Sequence, residues 1–414
     1  MRTPAPRPTT TLIPAGMLAA ALALTACGSG SSSAAGAAAG TPAAVAAKGT
    51  LITVGVVGTL SGPQASSTDQ GATVAPAWAD WINAAGGIDG HPVKVIVLDD
   101  KNDPAAGQAD ERQLASDGTA AIIVSSDNTV DAFDGAAIAK GIPLIGGAAD
   151  QNDWYVKPGM FVTWTGIVPG EAAQIRVAAT YGHATKVANV YCAEVASCGE
   201  TNPRLAATAK AEGTGFTDLA VSSTAPSYTA QCLELMQEHV DYVQLNIATA
   251  VGVRFIQNCQ AQGYSPTWGT SEQAIGPAYT TLKNITMYGP AFSFPSMANA
   301  APVTTFRAVM RKYAASGNWQ QGSASSTWDG LQALAQAVKD VHVPVSAPVT
   351  SADVMAGLYE FKNENLGGEL ANGLSYAKGK PFGFTANPCY FLIAVKNGQM
   401  IAPAGLSPQC PATS

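Results

Sequence analysis

The run LITVGVV, from Leu51 to Val57, is apolar without alternation. A half-exposed strand alternates apolar and polar residues, whereas an unbroken apolar run belongs to a strand covered on both faces, as in a parallel sheet. Parallel strands need long crossover connections. The chain supplies one: GATVAPAWADWINAAGG (71–87) reads as a helix stopped by Gly86 and Gly87. PVKVIVLD (92–99) is then a second strand. PAAGQADERQLASDG (104–118) is a second helix, with Pro104 in its first turn and Gly118 past its end. TAAIIVS, TVDAFDGAAIAKG and IPLIGG continue the pattern as strand, helix and strand, while SGPQASSTDQ (61–70) reads as a loop.

The alternation resumes after Val168. EAAQIRVAATYG, ETNPRLAATAKAEG, SYTAQCLELMQEH and AVGVRFIQNCQAQG are helical; KVANVYC, FTDLAVS, DYVQLNI and PTWGT are strands. Alternating units imply doubly wound parallel sheets, and the two runs imply an α/β protein of two lobes. Residues 301–317 and 327–341 add helices, and CYFLIAVKNGQMIAPAG reads as a hairpin turning at Asn397-Gly398. A length of 414 residues fits this organisation. A net charge of −7 leaves no basic face for nucleic acid, so no such partner is expected.

The first 47 residues read as targeting rather than fold. Arg2 and Arg7 precede an uncharged apolar stretch, Leu12 to Leu24. At about 1.5 Å per residue it falls short of a hydrocarbon core of roughly 30 Å. Residues 1–26 therefore read as a signal peptide. LTAC, ending in Cys27, resembles a bacterial lipobox, whose cysteine carries lipid; the other reading is an ordinary signal peptide with an incidental cysteine. Residues 27–47, with GSGSSSAAGAAAG, are a flexible tether suited to a lipid anchor. Setting Cys27 aside leaves six cysteines in an exported chain, an even set suited to disulfides. Many connectivities are open; neighbours in sequence suggest Cys192–Cys198, Cys232–Cys259 and Cys389–Cys410.

DDKNDP (99–104) is the loudest acidic cluster. A calcium loop beginning at Asp100 would need a ligand fifth and a glycine sixth, but Pro104 and Ala105 stand there. The better reading ends a strand at Asp99 and Asp100 and caps a helix with Asp103. The four histidines, His91, His183, His239 and His342, have no partner at metal-ligand spacing. No nucleophile elbow, phosphate loop or paired redox cysteine motif occurs. The expectation is a protein with no enzymatic activity, no metal and no cofactor.

VGVVGTLSGPQA, INAAGGIDGHPVKVIVLDDKNDP, AIIVSSDNT and GIPLIG together resemble the leucine/isoleucine/valine-binding proteins, from about Leu51 to the C-terminus. That resemblance implies the type I periplasmic-binding architecture: two doubly wound α/β lobes joined by three hinge crossings, placed near Val168, Pro295 and Pro388. Lobe one would be 48–167 plus 296–387, and lobe two 168–295 plus 388–414. The lobes would close on a ligand by hinge motion.

The resemblance also implies the site. Asn128 and Thr129 would meet a ligand carboxylate at a helix N-terminus, where free N–H groups favour an anion; either residue could equally cap that helix. Ala148 and Asp150 would face the ligand amine, with an acid replacing the family's hydroxyl. Glu272 keeps the family's acid, although a simple surface glutamate is the other reading. Ala248 and Ser67 stand where the family carries aromatics. Trp154 and Tyr155 could restore an aromatic wall or simply pack. The expected function is a monomeric, extracytoplasmic, membrane-anchored binding protein. It would deliver a small polar solute, an amino acid or related amine, to an ABC permease and its ATPase. The alternative is a ligand sensor for a membrane receptor or sensor kinase.

Overall fold

In the computed structural model, which describes residues 46–125, 129–146, 151–164, 167–194, 196–383 and 388–411, the apolar run becomes β1 (Ile52–Gly58). It lies inside a five-stranded sheet of order β2-β1-β3-β4-β5, with β2 (Val93–Asp99), β3 (Ala121–Val124), β4 (Leu144–Gly146) and β5 (Met160–Val162). Every pairing in it is parallel. The connections carry α1 (Ala65–Thr68), α2 (Gly71–Ala84), α3 (Pro104–Ser116), α4 (Val130–Ala139) and α5 (Asp153–Val156). Residues 1–45, which include Cys27, and Asn128, Ala148 and Asp150 lie outside the described residues.

After β5 the chain builds the second lobe. Its segments are α6 (Ile167–Thr180), β6 (Lys186–Cys192), α7 (Ala196–Glu200), α8 (Asn202–Ala211), β7 (Gly215–Val221), α9 (Thr229–Gln237), β8 (Tyr242–Asn246), α10 (Thr249–Ala261), β9 (Thr267–Thr270) and β10 (Thr286–Ala291). It then returns to the first lobe with α11 (Ala301–Tyr313), α12 (Gly322–Val341), α13 (Ser351–Glu360), β11 (Lys362–Glu364) and β12 (Leu374–Ser375). Phe306 and Trp328 of this returning segment share one core with Val74 and Trp78 of α2, and Trp81 stacks on Trp328 with ring centroids 5.2 Å apart. A last passage adds β13 (Phe391–Lys396) and β14 (Gln399–Ile401) to the second sheet, whose order is β14-β13-β10-β9-β8-β6-β7. That edge is antiparallel. Its hairpin turns at Asn397 and Gly398, with φ of 52° and 72°, the left-handed pair that a tight two-residue turn requires.

The structure forms the disulfides Cys192–Cys198, Cys232–Cys259 and Cys389–Cys410. It also adds elements that the sequence reading lacks. β5 is only three residues long, β10 contains Gly289 and Pro290, and α1 lies inside the stretch read as a loop.

DDKNDP is a backbone-satisfying knot. Asp99 Oδ1 accepts from the amides of Leu60, Ser61 and Lys101 at 2.9, 3.2 and 3.0 Å. Asp100 Oδ1 accepts from Thr59 Oγ1 and Asn102 N, both at 2.7 Å. Asp103 caps α3, accepting from Ala105 N at 2.8 Å and Ala106 N at 3.4 Å. Replacing Asp103 by Ala should lower stability by about 1 kcal/mol in denaturant titration. Calcium should leave the melting temperature unchanged; a calcium-dependent rise would contradict the capping role.

Candidate functional site

Ser67, Ala248 and Glu272 come together at one cavity of about 150 Å³, a volume that takes a ring of about six heavy atoms. α1 brings Ser67 from the first lobe; Ala248 precedes α10, and Glu272 follows β9. The aromatic wall comes from Trp164, just past β5, and Phe292, just past β10, packed edge to face at 5.5 Å. Sequence reasoning missed both, because they sit where the chain leaves a sheet and no periodicity marks them. Gln174, Asn246 and Ser271 add polar groups, and the Cys192–Cys198 disulfide forms part of the wall. Asn246 Nδ2 donates to Gln174 Oε1 at 3.0 Å and Asn189 Oδ1 at 2.9 Å, which fixes the amide layer.

Two expectations change. Trp154 is fully buried in the first-lobe core, its ring packed against the Cα of Gly146 where a Cβ would collide, and it does not line this cavity. The adjacent Tyr155 is buried in the same core. Thr129 stands at the head of α4 with its hydroxyl 3.4 Å from Asp100 Oδ2, also outside the lining. The large apolar indole is worth more in the core than in a wet cleft, and Thr129 lies beside the acidic knot instead.

Glu272 is the centre of the site's electrostatics and is 2% exposed. Trp164 Nε1 donates to its Oε2, as does Phe292 N at 2.6 Å, while Ser293 N donates to Oε1 at 3.1 Å. Burial pushes its carboxyl up to about 8 against the lowering effect of these donors. Behind it lie Asp329 of α12 and Glu369, both buried. Burial raises Asp329 well above the carboxylate range, and the neighbouring Glu369 and Glu272 raise it further. Burial likewise raises Glu369 to about 7, although Trp328 Nε1 donates to it at 3.2 Å. Among the described residues no Lys, Arg or His forms an ion pair with any of these three acids. The other acid of the lining, Glu171, is paired with Arg204 at 3.0 Å.

These acids bind protons more tightly folded than unfolded. Their stabilising contribution is therefore full below the ordinary carboxyl range of about 4 and is lost as pH rises through about 7 to 8. Thermal melting should fall over that window. Asp329→Asn should flatten the fall and melt a few degrees above the wild type on its alkaline side; a constant offset at all pH values would refute this assignment.

Residues 51–399 match the family described as periplasmic binding protein. No curated protein matches the sequence. Among solved structures, a branched-chain amino acid ABC transporter protein from Thermus thermophilus with bound valine superposes with TM-score 0.73 at 15% identity, over 87% of this chain and 97% of that one. A fatty acid ABC transporter substrate-binding protein from Thermomonospora curvata gives 0.71 at 15%, over 88% and 93%. A leucine-binding protein from Thermotoga maritima gives 0.67 at 14%, over 84% and 97%. With two lobes, parallel-dominated sheets and this span of match, the chain belongs to the periplasmic binding protein family.

Proposed function

We propose that this chain is an extracytoplasmic solute-binding lipoprotein of an ABC importer, and that its solute is a small amine-bearing compound such as an amino acid. Glu272 carries the reading. A carboxylate offers about four acceptor positions, and donors from Trp164, Phe292 and Ser293 use three of them. The group borders the cavity, is buried, and has no cationic partner among the described residues. A ligand ammonium would supply the missing counter-charge through a charge-assisted hydrogen bond. Trp164 and Phe292 suit the apolar body of such a solute, and the amides of Gln174 and Asn246 suit its polar end. The loops holding Asn128 and Ala148–Asp150 would complete the site from the first lobe, on the strength of the family resemblance.

The relatives support the class of function and leave the solute open, since their descriptions name valine, leucine and fatty acids. The lobes of this reading are 48–167 with 296–387 and 168–295 with 388–414, hinged near Val168, Pro295 and Pro388. In support, the first sheet ends at β5 and the second begins at β6. Lipid on Cys27 and the 27–47 tether would hold a monomer at the membrane beside its permease and ATPase.

Mass spectrometry of solute released from purified protein, with a thermal-shift screen, tests the assignment. Amine-bearing compounds should win; a screen won by anions lacking an amine would sink it. Because the ammonium favours ionised Glu272, affinity should rise with pH up to about 8 and then level. Glu272→Gln should weaken binding about tenfold or more and abolish that slope. Cys27→Ala should release the protein from membranes, and persistent anchoring would rule out the lipid.

A further inference from the structure

A helix begins with amides that have no partner inside it. α10 is 13 residues long, and its N-cap position is Ala248, which has no side-chain acceptor. Two of the orphan amides are satisfied from the opposite lobe. Thr249 N donates to Ser67 Oγ at 2.9 Å, and Ala250 N donates to Ser66 Oγ at 3.3 Å. Both serines sit on α1, which belongs to the first lobe.

The contact is embedded in a wider seam. Thr249 Oγ1 donates its only proton to Ala274 O at 2.8 Å, so the Ser67 hydroxyl, 3.0 Å away, donates to Thr249 Oγ1. Gln321 Nε2, at the head of α12 in the first lobe, reaches Thr249 Oγ1 at 2.9 Å and Gln273 O at 2.7 Å. Ser323 Oγ donates to Ser67 O at 2.6 Å and holds α1 in place. Ser67, Thr249 and Gln321 are 5%, 2% and 1% exposed, so the centre of the seam is dry, while the Ser66–Ala250 bond lies at its exposed edge. Separating the lobes breaks these bonds together and returns the head of α10 to water.

We propose that Ser66 and Ser67 are positioning residues that cap α10 across the cleft, and so set the balance between open and closed lobes. The proposal rests on the solute-binding reading for its purpose, but not for its test. A capping residue within α10 itself would stabilise the helix equally in both states; capping from the other lobe rewards only closure. Ser67 borders the cavity, whereas Ser66 does not, so any effect of Ser66 on a solute passes through closure alone.

The test uses the full chain without added solute: wild type, Ser66→Ala, the Ser66→Ala/Ser67→Ala double variant, and Ser66→Thr, which keeps a hydroxyl. Amide exchange is followed by mass spectrometry at Thr249 and Ala250, with small-angle scattering for lobe separation. Each lost cap bond should speed exchange at these amides about fivefold. The double variant should scatter as a more open molecule, and Ser66→Thr should restore wild-type exchange. Wild-type exchange and scattering in the double variant would overturn the latch, as would faster exchange in Ser66→Thr equal to that of Ser66→Ala. These measurements need no solute, so a wrong solute assignment would leave their outcome unchanged.

Discussion

The carboxyl group of Glu272 ties together two of the three places where the chain passes between lobes. Trp164 follows the last strand of the first sheet, and Phe292 and Ser293 follow β10 of the second; all three donate to the same side chain. One group thus anchors both passages and packs beside the aromatic wall. A carboxyl held near 8 by burial is costly for a fold to maintain. Such perturbed groups cluster at functional sites.

Close backbone approach is the second constraint. A Cβ at Gly322 would overlap the Glu272 carbonyl, and one at Gly276 would overlap the Gln321 side chain. The head of α12 therefore meets the Glu272 loop almost backbone to backbone. The serine contacts to α10 lie along the same seam. Small side chains on both sides let the lobes approach closely enough for hydrogen bonds between main chain and side chain.

The fold was largely legible in the sequence where periodicity is long and punctuated. Leu51–Val57 read as a strand covered on both faces, and Ile52–Gly58 is that strand; Lys186–Cys192 read as a strand and is one. Pro104 and Asp103 marked the start of α3. β5 escaped because three residues carry no pattern, and β10 because Gly289 and Pro290 argue against a strand by composition. At the candidate site, the resemblance picked out Glu272, Ala248 and Ser67, and the fold brings all three to the wall of one cavity. Trp164 and Phe292 were not, because their role depends on two distant passages meeting at one carboxylate. Trp154 misled for the converse reason: its place in the sequence suggested the cleft, while its burial is decided by Gly146 beneath it.

The Cys192–Cys198 bond bears on when the cavity exists. It joins the end of β6 to α7 and forms part of the cavity wall. Disulfides form and persist in oxidising compartments and are kept open where thiols are reduced. Where thiols are kept reduced, Cys192 and Cys198 would be held beside each other by packing alone. Oxidation therefore ties α7 to the end of β6 and fixes this part of the cavity wall.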